Sequence, residues 1–152
     1  MGFTADVVCI FVFLAMVLVE GQRGVLLALV DFAGVLAGVV LVRALYVPLS
    51  AYFGSPSTAY LVLLFVALLL VIIGGVWVAK ATKMQVTGAE AAGGALLGIC
   101  TAVILCFAFF DLLTIRYGSG AAILSNSLLR AQIYDLTGFR AFIEFARTFA
   151  GK

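Results

Sequence analysis

The chain has 152 residues, of which 66% are apolar and 11% are charged, and its mean hydropathy is +1.30. Soluble domains contain about 45–50% apolar and about 25% charged residues, so this composition excludes a water-soluble globular protein. The net charge of +2 is small, and no cluster of Lys or Arg forms the basic patch that nucleic acid would require.

The spacing of the charges indicates membrane-spanning helices. Twenty uncharged residues separate Glu90 from Asp111, and 36 separate Arg43 from Lys80. A helix needs about 20 apolar residues to cross a hydrocarbon core about 30 Å thick. The sequence therefore predicts an all-α, polytopic membrane protein, with four transmembrane helices in residues 1–118 and a C-terminal amphipathic tail in residues 119–152.

The first predicted span is Thr4–Val19, with Asp6 and Glu20 near its two ends. This span is short, but it crosses the bilayer if both carboxylates lie at headgroup depth. No Lys or Arg precedes the apolar run and no small-residue cleavage site follows it, so we expect a permanent span and not a signal peptide.

The second predicted span, Val25–Tyr46, follows the tight connection Gln22-Arg23-Gly24 and has Arg43 near its far end. The next segment, Val47–Thr58, contains proline, glycine and serine but no charge, so we expect a loop. Three tyrosines around this loop have the distribution of an aromatic belt at a membrane surface: Tyr46, Tyr52 and Tyr60.

The third predicted span is Ala59–Val78, and the fourth is Ala91–Phe110, which we expect to end at Asp111. An aromatic residue and two basic residues mark the exit of the third span into water: Trp77, Lys80 and Lys83.

The tail shows the periodicity of an amphipathic helix. Apolar residues recur on one face and charged residues on the other: Phe139, Phe142, Ile143, Ala146 and Phe149, against Arg140, Glu144 and Arg147. Such a helix is too charged to cross the membrane, so it lies in the interface with its Phe face buried or packs on a soluble partner. The neighbouring apolar bundle favours the interface. A bend at Gly138 leaves a separate helix near Leu124–Leu136.

Glycines four residues apart allow close packing between membrane helices, and they occur as Gly34 and Gly38 in the second span and as Gly94 and Gly98 in the fourth. Asp31 shares a helical face with the first pair, so we expect it to face protein. A charged carboxylate at the bilayer centre costs about 2.5–3.5 kcal/mol, so Asp31 is protonated, paired or hydrated. It either handles protons or ions, or forms a polar contact between helices, and the lack of an evident chain of partners favours the contact.

We expect no catalytic, metal-binding or cofactor-binding site. The chain has no histidine to activate Ser119, and Asp31 has no second carboxylate in an adjacent predicted span. The three cysteines lie in apolar stretches without metal-ligand spacing, so we interpret them as small apolar residues: Cys9, Cys100 and Cys106.

The positive-inside rule gives an orientation. Arg23, Lys80 and Lys83 place the first and third loops in the cytoplasm, and both termini and Val47–Thr58 then lie outside. Arg43 and the cations of the tail count against this orientation.

The glycine pattern resembles a known family. The run Gly21-Gln22-Arg23-Gly24, followed by Gly34 and Gly38, is similar to the signature of the colicin V production protein family, and Asp6 resembles that family's early aspartate. Two later segments are also similar: Thr87-Gly88-Ala89 leading into Gly94–Gly98, and Ser125 or Ser127 followed by Leu128-Leu129.

The resemblance implies a multi-pass protein of the bacterial inner membrane, associated with toxin production or export and with envelope integrity. We expect a non-catalytic accessory or scaffold protein whose partners are the lipid bilayer and either a second copy or another membrane or envelope protein. The alternative is a small proton- or solute-conducting transporter or channel, with Asp31 as its titrating group and Arg43 as the partner of Asp31. The candidate functional residues are Arg23, Gly24, Asp31 and Arg43.

Overall fold

A computed structural model describes residues 2–82, 86–118, 121, 124, 127–134, 144 and 148, without the side chains of residues 2, 3, 131 and 132. These residues form five helices: α1 (Gly2–Arg23), α2 (Val25–Phe53), α3 (Pro56–Thr82), α4 (Gly88–Tyr117) and the short α5 (Leu128–Ile133). Helices α1 to α4 are long and apolar enough to cross a membrane. The predicted all-α class with four spans is therefore confirmed.

The predicted loop Val47–Thr58 is wrong over most of its length, because α2 continues through Pro48 and ends at Phe53. Proline removes one helical hydrogen bond, but the neighbouring backbone groups still need partners near the bilayer and a helix supplies them internally. The actual stop is Gly54, whose φ of 75° is left-handed and favours glycine.

Helix α3 begins directly after this stop. The Ser55 hydroxyl accepts a hydrogen bond from the Thr58 backbone N–H at 3.1 Å. Pro56 occupies the first helical position, where its missing N–H has no consequence. The polar residues of the predicted loop thus act as the cap of a helix.

Helix α4 extends beyond the predicted span at both ends. At its start, Thr87 and Glu90 form a capping box, in which the Glu90 carboxylate accepts the Thr87 backbone N–H at 2.8 Å. At its far end α4 continues past Asp111 to Tyr117. The predicted end at Asp111 is wrong because that carboxylate has partners inside the bundle and does not need water.

Helix α4 packs on both α1 and α2, and α3 packs chiefly on α2. The α1–α4 contact depends on glycine: a Cβ at Gly94 would lie 2.3 Å from the Glu20 carbonyl oxygen, and one at Gly98 would lie 2.8 Å from the Met16 carbonyl oxygen. Backbone atoms cannot yield as a flexible side chain would. These two glycines therefore set how closely α1 and α4 approach.

The contact between α2 and α3 uses the other predicted glycine pair. A Cβ at Gly34 would lie 2.9 Å from Val71 Cγ2, and one at Gly38 would lie 3.1 Å from Ala67 Cβ. The outer face of α3 is apolar and exposed, as a surface in contact with lipid acyl chains requires.

After α4 the chain returns to the bundle. Leu124, Ile133 and Tyr134 are buried in one apolar cluster with Cys9 and Phe107, so α5 lies against α1 and α4. Apart from residues 144 and 148, the predicted amphipathic helix at Phe139–Phe149 lies outside the described residues, as do Lys83, Ser119 and Ser125.

Candidate functional site

A single residue, Gly24, connects α1 and α2. Its φ is +81°, a left-handed value that glycine adopts without strain, and it is buried. The turn brings the last side chain of α1, Arg23, onto α2, where Arg23 Nη1 lies 2.5 Å from Asp31 Oδ2. The structure therefore groups three of the predicted candidate residues at one end of the bundle.

A second carboxylate, that of Glu20, belongs to the same group. Glu20, which we expected at headgroup depth, is 1% exposed, because α4 packs over it with Gly94 and Gly98. Asp31 is 5% exposed and lies against Gly75 of α3, where a Cβ would be 2.7 Å from Asp31 Oδ1. We call Glu20, Arg23 and Asp31 the Arg23 cluster.

The Arg23 cluster is not internally neutral. It contains two carboxyl groups and one guanidinium, and Glu20 Oε2 and Asp31 Oδ1 are buried without a hydrogen-bond partner in the described part of the chain. Such groups are rare in folded proteins.

A second buried ion pair joins α2 to α4. Arg43 Nε lies 3.0 Å from Asp111 Oδ2, and the Tyr134 hydroxyl donates to Asp111 Oδ1 at 3.0 Å. The predicted pairing of Arg43 with Asp31 is wrong, because 12 residues of helix separate the two Cα atoms by about 18 Å along the α2 axis.

Aromatic rings surround this second pair. The Arg43 guanidinium lies 5.4 Å from the centre of the Phe107 ring, which stacks on Tyr134 at 5.1 Å. Burial, with the Asp111 charge, raises the pKa of Tyr134, so its hydroxyl remains a donor.

Tyr60 completes the group, which we call the Arg43 cluster (Arg43, Tyr60, Asp111 and Tyr134). We expected Tyr60 in an aromatic belt, which is wrong because it is fully buried, whereas Tyr52 is 84% exposed. The Tyr60 hydroxyl has no hydrogen-bond partner among the described residues.

Asp6, the early aspartate of α1, contacts the segment that precedes and begins α5. Its carboxylate accepts the Ser127 hydroxyl at 2.5 Å and the backbone N–H groups of Leu128 and Leu129 at 3.2 Å each. Ser127 is the N-cap of α5. A carboxylate at a helix N-terminus satisfies donors that the helix itself leaves free, so Asp6 fastens α5 to α1.

An apolar layer separates the two charged clusters. It consists of Val35 and Val39 on α2 and Ile104 and Ala108 on α4, each at most 4% exposed. A cavity of about 460 Å³ opens at the Arg23 end of the bundle, with Arg23 and Glu90 among its lining residues. The Arg23 cluster therefore borders open space on one side and the apolar layer on the other.

Two of the three cysteines are neighbours: Cys106 Sγ donates to the Cys9 carbonyl oxygen at 3.9 Å, and both thiols are buried. Cys100 is exposed on α4. In the part of the chain that the structure describes, no three His, Cys, Asp or Glu side chains are grouped so that they could hold a metal ion.

The sequence interpretation missed Glu20, Asp111 and Gly75 as site residues. A signal for Asp111 was present, because three apolar residues, Leu112, Leu113 and Ile115, follow it before the next charge at Arg116. Glu20 had a signal too, since it lies one helical turn before Arg23. No sequence pattern pointed to Gly75, because only the packing of α3 on α2 determines which α3 residue lies against Asp31. No protein-family model, curated protein or solved structure matches this chain.

Proposed function

We propose that this protein is a non-catalytic accessory or scaffold protein of the bacterial inner membrane. Its role resembles that of the colicin V production family, in toxin production or export and in envelope integrity, and it acts through membrane or envelope partners. The Arg23 and Lys80 loops lie in the cytoplasm and the termini lie outside, as the positive-inside rule favours.

The observation that carries this proposal is the use of the buried charges as links between helices. Arg23 links α1 to Asp31 of α2, and Arg43 links α2 to Asp111 of α4. In the described part of the chain, an apolar layer on α2 and α4 lies between the two clusters and separates their polar groups. A protein whose buried polar groups fix helices in place is suited to presenting a defined surface to partners.

A further contact supports the scaffold role. The Asp6 carboxylate accepts from the Ser127 hydroxyl and from the Leu128 and Leu129 backbone N–H groups, across 121 to 123 residues of sequence. This contact holds α5 against α1, so it too fixes one helix on another.

The test uses complementation in a host that lacks the gene. We expect Asp31→Asn to restore envelope resistance to detergent, because the asparagine oxygen can still accept from Arg23. Gly34→Leu and Gly38→Leu should fail, since a side chain there meets Val71 or Ala67. Gly74→Leu is the matched control, because nothing lies within 4 Å of a Cβ at that position. Loss of function in Asp31→Asn, with normal membrane insertion, would contradict the scaffold.

A second candidate is a proton- or solute-conducting transporter. It is favoured by the buried Glu20 carboxyl group, whose Oε2 has no hydrogen-bond partner among the described residues. Its test is proton flux into vesicles that contain the purified protein and a pH-sensitive dye, under an imposed potential. Flux that is lost in Glu20→Gln would favour the transporter, whereas no flux above that of empty vesicles would favour the scaffold.

A further inference from the structure

The carboxyl groups of Glu20 and Asp31 are buried on either side of one guanidinium, that of Arg23. Glu20 lies one helical turn before Arg23 and is 1% exposed, and Arg23 Nη1 contacts Asp31 Oδ2. Among the described residues, Asp31 Oδ1 and Glu20 Oε2 are buried without a hydrogen-bond partner. Two ionised carboxylates cannot satisfy each other, because neither has a hydrogen to donate.

We propose that Glu20 and Asp31 together bind one exchangeable proton, which enters from the Arg23-lined cavity at the end of the bundle. The proton comes from water and bonds to a carboxyl oxygen, and the protonated group donates to the other carboxylate. The three side chains then have no net charge. This inference goes beyond the accessory role and holds whether the protein is a scaffold or a transporter.

The surroundings of Glu20 favour a proton over a metal cation. Helix α4 faces Glu20 with Gly94 and Gly98, and α3 faces Asp31 with Gly75. The Glu90 carboxylate of α4 lines the nearby cavity and accepts the Thr87 backbone N–H as part of the α4 cap. In the described part of the chain, Asp31 and Arg23 are the charged groups that act on Glu20. A hard cation needs about six oxygen ligands, and the guanidinium on Asp31 would repel it.

The position of the cavity gives the direction of access. The cavity has a volume of about 460 Å³ and lies between the α1–α2 turn and the end of α3, with Arg23, Ala79 and Thr82 in its lining. In the opposite direction lies the apolar layer of α2 and α4. Uptake and release therefore occur on the side of the membrane to which Arg23 is exposed.

Infrared spectroscopy of the full chain in lipid vesicles tests the proton site directly. We expect the C=O stretching band of a protonated carboxylic acid at neutral pH, lost as the pH is raised, and absent in Glu20→Gln. Asp31→Asn should shift or remove the same band, which provides a second variant if the first does not fold. Glu144→Gln is the control, because residue 144 is exposed and lies outside the four spans.

Three results would overturn the proposal. These are a wild-type spectrum without the band at any pH, a band that persists unchanged in both variants, and a band that disappears when sodium or potassium chloride is added at constant pH. The last result would assign the site to a metal cation. None of these readouts depends on cellular activity, so their failure is distinguishable from failure of the accessory role.

The access route has its own test in a background where the three native cysteines are alanine. Ala79→Cys places a thiol in the cavity lining, and Ala51→Cys places one at the other end of α2, where residue 51 is exposed. We expect a bulky thiol adduct at residue 79 to slow the response of the band to a pH jump. An adduct at residue 51 should not, and equal effects from both adducts would overturn the route.

Discussion

Arg43 and Asp111 form the more deeply buried of the two ion pairs, with side-chain exposures of 16% and 6%, whereas Arg23 in the other pair is 33% exposed. A buried pair contributes little net stability compared with apolar residues of similar volume, but removal of one partner leaves an uncompensated charge. The two single variants should therefore differ from the double variant.

We predict that Arg43→Ala and Asp111→Ala each lower the free energy of unfolding by about 3–5 kcal/mol. The double variant should lose less than the sum of the two, because no lone charge remains. The measurement is reversible unfolding in mixed detergent micelles, and Lys80→Ala, at an exposed position, is the control. Simple additivity would show that the pair is not coupled.

Two tyrosines in the Arg43 cluster provide a matched comparison of a bonded and an unbonded hydroxyl. Tyr134→Phe removes a donor to an ionised carboxylate and should cost about 1.5–3 kcal/mol of unfolding free energy. Tyr60→Phe removes a buried hydroxyl that has no partner among the described residues, so it should be neutral or stabilising. The same micelle titration measures both, and a reversed order would refute this assignment of the hydrogen bond.

At the scale of the helices, the positions of the glycines were predictable and the ends of the helices were not. GxxxG spacing pointed to Gly34, Gly38, Gly94 and Gly98, and all four lie against a neighbouring helix. The end of α4 was misplaced because a charge was taken to require water, and the end of α2 because proline, glycine and serine were taken to indicate a loop. The Asp111 carboxylate instead pairs with the Arg43 guanidinium inside the bundle. Such a contact depends on the three-dimensional arrangement of helices that are distant in sequence.

We predict that Gly94→Ala weakens the α1–α4 contact, because its Cβ would overlap the Glu20 carbonyl oxygen, with a cost of about 1–3 kcal/mol or more. Gly74→Ala on α3 should be neutral or stabilising by up to about 1 kcal/mol, because a Cβ there meets open space and alanine is the better helix former. Thermal unfolding in detergent, monitored by circular dichroism, distinguishes the two variants. Equal midpoints would mean that α1 and α4 adjust freely.

At the scale of the whole molecule, composition and charge spacing were sufficient for the fold class, because a four-span bundle follows from the lengths of the apolar runs. The Arg23 cluster could be anticipated only in part. Asp31 was expected to face protein, and it does, but its partners depend on a one-residue turn whose geometry the sequence suggested only through Gly24.

The orientation gives the whole-molecule prediction. In the cysteine-free background, an impermeant thiol reagent applied to intact cells should label Ser55→Cys and Thr148→Cys and leave Thr82→Cys unlabelled. This pattern follows from cytoplasmic placement of the Arg23 and Lys80 loops. Labelling at residue 82 with protection at residue 55 would reverse the orientation.

The Asp6 contact has a consequence for biosynthesis. Asp6 is added by the ribosome 121 to 123 residues before its partners in the Ser127-Leu128-Leu129 segment. Throughout that interval the carboxylate must be solvated by water or lipid headgroups. The bundle therefore reaches its final arrangement only after residues 127–129 have been made, and a nascent chain that stops after α4 would leave Asp6 of α1 without these partners.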